Sequence, residues 1–351
     1  MPVYCPGFSA RRRSLLKGLG ALGVGLSFMS RHSLSAEEKK LNFYNWDTYI
    51  GDTTLADFEK ATGIAVKMDL FADNDELFAK LKAGNPGYDV IVPTNDNLER
   101  MIKANMVMPL ENLDAVFQDA AFDPGRKHSV PYLWGTVGIG FRKSKVEGTI
   151  DSWKVLFEDP KYAGRLALLD DAKIVIGSAL KYIGQSLNST DPAVLKKVEE
   201  LLIAGKKNVK VFAKDNGQDL LASGDVDLTM EYNGDILQVM TEDDDLSYVV
   251  PTEGAEMWQD CLAIPTGAPR PENAHAFINF IMDPQTEAGI AKTVQYATPN
   301  AEAKKLMDKT YLENPAIFPP AEVVAKCEPA LYLGEDVTKS RDEVWTRVKA
   351  A

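Results

Sequence analysis

Cysteine and histidine are scarce in this sequence. Three of each in 351 residues leave little from which to build a metal centre or a nucleophilic triad. No Cys-x-x-Cys, His-Glu-x-x-His, Gly-rich phosphate loop or Gly-x-Ser-x-Gly turn occurs. Long apolar runs are missing as well: beyond residue 36 no stretch reaches the roughly 18 apolar residues of a membrane span. There is no internal repeat and no low-complexity tract. Basic residues fall short of acidic ones, 39 Lys and Arg against 51 Asp and Glu. Such a chain repels nucleic acid and anionic lipid and draws cationic solutes through its long-range field. What is present, 45% hydrophobic and 26% charged residues, is the make-up of a globular protein with a large core. The length suits two domains better than one.

Residues 1–36 differ from the rest. Arg11-Arg12-Arg13-Ser14-Leu15-Leu16-Lys17 precedes a Gly-rich apolar run from Gly18 to Met29, and then Ser33-Leu34-Ser35-Ala36. A charged start, an apolar middle and a small-residue end define a signal peptide, here cut after Ala36. The paired arginines are similar to a twin-arginine export signal. Its loss leaves 34 basic residues against 51 acidic ones, a net charge of −17. Cys5 leaves with it. Cys261 and Cys327 stay, either as a disulfide in an oxidising compartment or as small buried residues.

From residue 40 the pattern alternates. Strands are predicted over 41–46, 64–71, 88–92, 131–141, 165–169, 209–212, 227–232, 248–250 and 261–265. Helices are predicted over 53–62, 75–83, 95–103 (with Asn95 as cap), from 151, and over 173–183, 191–204, 219–223, 274–282 and 286–293, with a mostly helical end from 321. Strands alternating with helices of this length give parallel βαβ units, an α/β fold. The acidic run 242–245 reads as a solvated loop.

In open α/β sheets ligands sit beyond the carboxyl ends of the strands. At those ends acids recur, often beside an aromatic ring. Trp46-Asp47 with Tyr49 follows the first strand, and Thr94-Asn95-Asp96 the third. Asp170-Asp171 ends 166–169, and Glu231-Tyr232-Asn233-Gly234-Asp235 ends 226–230. Trp258-Gln259-Asp260 runs into 261–265, and Tyr296 adds another ring. Any one cluster suits a core edge. Five, with no arginine beside them in the sequence, describe a cleft of rings and carboxylates for an elongated cation, since ring faces attract ammonium groups and carboxylates neutralise them. A hydrolase using two of the acids and a metal-ion binder remain open on the residues alone.

Seven stretches in order, YNWDTYI (44–50), YDVIVPT (88–94), VPYLWGT (130–136), LLDDA (168–172), MEYNGD (230–235), MWQDCLAIP (257–265) and YATPN (296–300), resemble the spermidine/putrescine-binding periplasmic proteins of ABC importers. The resemblance covers nearly all of the chain after the signal. It implies the type II periplasmic binding protein fold, two α/β lobes joined by crossover strands with the ligand in the interlobe cleft. The lobes would be 37–143 with 261–305, and 144–260, with a C-terminal helical segment 306–351 packing on the second. It implies a monomer in the periplasm that passes putrescine or spermidine to an inner-membrane permease, with no enzymatic activity, cofactor, metal or nucleic acid. Agmatine, a basic amino acid or a quaternary amine are alternative ligands.

By the resemblance Trp46, Tyr232, Trp258 and Tyr296 are ligand-stacking rings, and Asp171 and Asp260 ammonium-binding carboxylates. Asp47, Thr48 and Tyr49 form the lining loop, Thr94 supplies a hydroxyl, and Asp235 is the acid of putrescine-preferring members. Four positions depart from the pattern: Ile174 stands where spermidine binders have a second carboxylate, Tyr232 where Trp is usual, Asp96 where an aromatic is common, and Ala330 where Gln is expected. Ile174 with Asp235 favours a short diamine, unless Asp96 holds a third charge.

Overall fold

Each apolar run in the first third is closed by a local stop that the sequence dictates. Helix Thr54–Thr62 ends on Gly63 in the left-handed region (φ 74°), which glycine adopts at little cost. Helix Asn74–Lys82 starts where the Asp73 carboxylate accepts the Glu76 amide, satisfying one of the free N–H groups of a helix start. The computed structural model describes residues 37–111 and 120–351. The signal peptide, its cleavage point and Cys5 lie outside the described residues.

The described strands are β1 (Lys40–Asn45), β2 (Ala65–Leu70), β3 (Val90–Ile91), β4 (Ser129–Arg142), β5 (Leu166–Leu169), β6 (Val209–Ala213), β7 (Leu228–Tyr232), β8 (Leu246–Val249) and β9 (Met257–Ala263). They form one mixed sheet in the order β2-β1-β3-β9-β4-β7-β5-β6, with β8 also on β4. Parallel triplets occupy both ends: β2-β1-β3, and β7-β5-β6. Between them run β9 and β4, antiparallel to each other and to their neighbours. The first half of β4 pairs with β9 and its second half with β7 and β8, the register shifting between Pro131 and Trp134. Helix Glu335–Ala350 packs against helices Ala172–Tyr182 and Pro192–Lys206.

Several expectations are corrected. Thr94, not Asn95, occupies the cap position of helix Asn95–Lys103. The Asn95 side chain instead donates to the Ala330 carbonyl (2.7 Å) and accepts the Gln259 amide (3.1 Å). Asn233-Gly234-Asp235 is the first turn of a helix, Asn233–Met240, which the turn-like Asn-Gly pair conceals. The acidic run is not simply solvated: Arg142 pairs with Asp243 (2.8 Å) and Asp245 (3.4 Å). Cys261 and Cys327 are unpaired thiols, Cys261 buried and Cys327 half-buried.

One buried ion pair ties β1 to the segment entering helix Pro271–Met282. Asp89, fully buried, accepts the amides of Asn42 (2.7 Å) and Arg270 (2.9 Å) and the Arg270 guanidinium (Nε 3.0 Å). Asp89→Ala leaves that guanidinium buried without its partner, a loss of about 3–5 kcal/mol to be read by urea denaturation. A loss under about 1 kcal/mol, the worth of an exposed pair, would overturn this role.

Candidate functional site

The residues just past the carboxyl ends of β1, β3, β6 and β7 converge on one cavity, with β9 crossing beneath. Trp46, Asp47 and Tyr49 come from the loop after β1, Thr94 from beyond β3, Asp215 from beyond β6. Tyr232 ends β7, Asp235 lies in the helix turn that follows it, β9 gives Trp258 and Asp260, and Tyr296 follows helix Pro284–Val294. These ten side chains line a volume of about 360 Å³, counting the part open to solvent. Among the described residues no Lys, Arg or His lines it.

Four rings make its floor. Trp258 stands edge-on to Tyr296 (5.0 Å between centroids), Tyr232 (5.8 Å) and Tyr49 (6.5 Å), and Tyr49 to Tyr296 (5.3 Å). Their seats are fixed by polar contacts outside the cavity. The Tyr49 carbonyl accepts from the Asn45 amide nitrogen and the Tyr132 hydroxyl, both at 3.0 Å. The Tyr296 carbonyl accepts from the Tyr311 hydroxyl (2.6 Å), and the backbones of Ala297 and Trp134 pair in both directions. Glycine is required at 234, where a Cβ would lie 2.5 Å from Tyr296 ring atoms. Trp46 is held by its indole N–H on the Val92 carbonyl (2.9 Å).

Inside the cavity the polar accounting changes. Tyr49 Oη, Trp258 Nε1 and Asp260 Oδ1 are buried and make no hydrogen bond among the described residues. Tyr49 Oη is near enough to Asp260 to act on its titration, yet falls short of bonding geometry. Burial pushes the Asp260 carboxyl up to about 8 and the Asp235 carboxyl up to about 7. Asp215 and Glu231 are driven well above the carboxylate range, by burial first and then by neighbouring acids. Buried polar groups are normally paired, so this cavity is chemically unfinished. It offers ring faces and carboxylate acceptors, the complement of an organic cation.

Nine of the twelve expected residues line the cavity, and three do not. Thr48 is exposed, its backbone left-handed at φ 47°. Asp96 is already neutralised: Lys173 Nζ donates to both its oxygens (3.0 and 3.1 Å) and the Thr94 hydroxyl adds a third bond (3.0 Å). Lys173 also lies 3.4 Å from the buried Glu256, so one resident cation serves both acids, placed there by tertiary structure and not by sequence adjacency. Asp171 caps helix Ala172–Tyr182 through the Ile174 amide (2.9 Å) and lines a neighbouring pocket that shares Trp46, Asp215 and Tyr232 with the main one. The Ile174 side chain belongs to the hydrophobic core, and Ala330 is likewise buried. Asp215 was not anticipated. It obeys the same strand-end rule, but Lys214 beside it disguises it as a balanced surface pair.

The fold and this site define a binding protein for a small solute. The chain belongs to the bacterial extracellular solute-binding protein family, whose model matches residues 53–319. The putrescine-binding periplasmic protein SpuD of Pseudomonas aeruginosa is 34% identical over 343 residues, covering 90% of this chain and 93% of that protein. The putrescine-binding periplasmic protein PotF of Escherichia coli is 33% identical over 364 residues, covering 94% and 97%. The solved structure of the spermidine/putrescine ABC transporter substrate-binding protein PotD of Streptococcus pneumoniae matches with a TM-score of 0.75 at 30% identity, covering 89% of this chain and 99% of that one.

The raised carboxyls make stability fall with pH. Asp260 and Asp235 keep protons in the folded chain that the unfolded chain releases near pH 4, so stability present at low pH drains away as pH climbs towards 7–8. Each group so held costs up to about 1.4 kcal/mol per pH unit. Urea melts of the ligand-free protein from pH 4.5 to 8 are expected to show this decline, and Asp235→Asn with Asp260→Asn to flatten it. Parallel curves for the two proteins would refute the assignment.

Proposed function

We propose that this protein captures a polyamine in the cavity and delivers it to an ABC permease of the inner membrane, working in the periplasm without catalysing a reaction. The carrying observation is the cavity itself: five aromatic side chains and four carboxylates, Asp47, Asp215, Asp235 and Asp260, with no basic side chain among its described lining residues. The names of the relatives, periplasmic binders of putrescine and of spermidine, support both the ligand class and the compartment. Their standing as solute-binding proteins supports the absence of catalysis. Opening and closing of two lobes about β4 and β9 gives the ligand entry and release.

A dication of short span is the preferred ligand. Asp96 and Glu256 are served by Lys173, so the carboxylates left for ligand in the cavity are the buried Asp260 and Asp235, with Asp215 and the exposed Asp47. A third cationic nitrogen, as in spermidine, would meet the Lys173 end of the cleft or the apolar rings. Burying an ammonium without a partner is costly. Several charge-assisted hydrogen bonds at about 1.5–3 kcal/mol each, with cation–π contacts of about 0.5–2 kcal/mol, are enough for micromolar or tighter binding, about −8 kcal/mol.

Calorimetric titration tests this. Putrescine is expected to bind more tightly than spermidine. Asp260→Asn is expected to cost about 2–5 kcal/mol, since a desolvated ammonium loses its partner, while Asp244→Asn on the exposed loop leaves binding unchanged. Equal losses at both positions would mean that net charge, and not a site, attracts the ligand. No heat with any di- or triamine would end the polyamine reading.

A further inference from the structure

We propose that Asp215, Glu231 and Asp235 form a three-carboxylate receptor for one primary ammonium end of the ligand, so that N–H donors, and not charge alone, are a condition of binding. The inference rests on the amine-binding reading of the cavity and extends it to Glu231, an acid that reading does not need.

The three side chains come from separate elements: the loop after β6, the interior of β7 and the first turn of helix Asn233–Met240. One carboxylate oxygen from each lies within 4.8 Å of the others. None of the three makes an ion pair among the described residues. Asp215 and Asp235 face the cavity, and Glu231 stands behind them with no accessible surface. Its Oε1 accepts the Tyr232 amide (3.0 Å). Its Oε2 is buried and makes no hydrogen bond of normal geometry among the described residues. The floor beneath it is glycine by necessity, because a Cβ at Gly217 would collide with Oε2 and lie 2.6 Å from the Thr229 hydroxyl. A fully buried carboxylate facing two more, with only the Tyr232 and Gly217 amides acting on it and Oε2 short of normal bonding geometry, calls for a further donor.

The spacing selects among cations. A primary ammonium carries three N–H groups at tetrahedral angles. Acceptors about 2.8 Å from its nitrogen then stand about 4.6 Å apart, within the limit the three oxygens obey. A divalent metal would also accept three carboxylates, but a calcium ion seeks about six to eight oxygens, and the cluster is bordered by the ring of Tyr232 and by Tyr296, whose hydroxyl accepts the Asp235 amide (3.3 Å). A quaternary ammonium has charge but nothing to donate. With Asp260 receiving the other end, the ligand class is an α,ω-diamine with at least one unsubstituted amino group.

The test compares 1,4-diaminobutane with its bis(trimethylammonium) analogue, which keeps both charges and the span and removes every N–H. By calorimetry the wild-type chain is expected to bind the methylated compound at least about 100-fold more weakly, the worth of two or more charge-assisted bonds. Glu231→Gln is expected to weaken diaminobutane binding about tenfold or more and to weaken the methylated compound by a clearly smaller factor, since only the charge is lost there. Asp215→Asn, on the loop after β6, is expected to show the same inequality and serves if Glu231→Gln does not fold. Equal binding of the two compounds by the wild type overturns the receptor and leaves the amine-binding reading standing. Binding of neither overturns both. If calcium alone binds once per chain and Glu231→Gln abolishes that while sparing diaminobutane, the cluster is a metal site and the proposal fails.

Discussion

Negative charge gathered where water is excluded is the constraint on which this protein turns. Asp260, Asp235 and Glu231 are nearly or wholly buried, and a carboxylate taken from water without a partner is among the costliest states a side chain can adopt. The chain resolves that cost differently at the two ends of the cleft. At one end it supplies its own cation, Lys173, bonded to Asp96 and lying beside Glu256. At the other it supplies none, and burial raises the carboxyls towards neutrality. Burial still holds Glu256 up to about 7 beside that lysine, so what differs between the two places is the cation the chain supplies and not the direction of the shift.

The surrounding shell makes the contrast sharper. Asp89 is as buried as Glu231, yet every one of its bonds is made. Asp123 accepts from the Lys127 and His128 amides and the Ser129 hydroxyl. Asn95 spends both ends of its amide on backbone. Other buried groups, among them Asn45 Oδ1, Ser178 Oγ and Gln218 Oε1, also lack a bond among the described residues, so what marks the site is that Tyr49 Oη, Trp258 Nε1 and Asp260 Oδ1 lie unpaired around one cavity. The rings are pre-set by bonds to their backbones from outside, so ligand meets a rigid floor and little ordering is left to oppose binding.

Much of this was legible in the sequence, because one rule located it. In a parallel α/β sheet the strand ends face the ligand, and apolar runs ending in Trp46-Asp47, Thr94 and Tyr232 could be read directly. The order of seven stretches added the family. Three kinds of information were not local. Lys173 is one helical turn from nothing acidic but its own cap, and only folding sets it on Asp96. Asp215 was hidden by its lysine neighbour. Helix Asn233–Met240 was hidden by an Asn-Gly pair, a turn signal that tertiary packing overrode. The Ile174 position shows the converse. It differs from the family pattern in the sequence, yet its side chain is buried in the core and lines neither pocket.

The same electrostatics bear on how such a site can both hold and release its cargo. An empty cleft that kept its carboxylates ionised would repel its own walls and resist closing. With protons on Asp260 and Asp235 the empty cleft carries less negative charge, and under the proposed function the ammonium groups of a diamine would stand where those protons stood. Binding is then an exchange of cations and not a net neutralisation, which moderates the electrostatic gain that raw charge counting would assign to it. The long-range field of the acidic surface acts in the same direction on arrival, concentrating cations at the cleft mouth without adding to the depth of the bound state. Specificity must therefore come from what protons and inorganic cations lack: an apolar span to lie on the rings, and N–H groups directed at fixed oxygens from both of its ends.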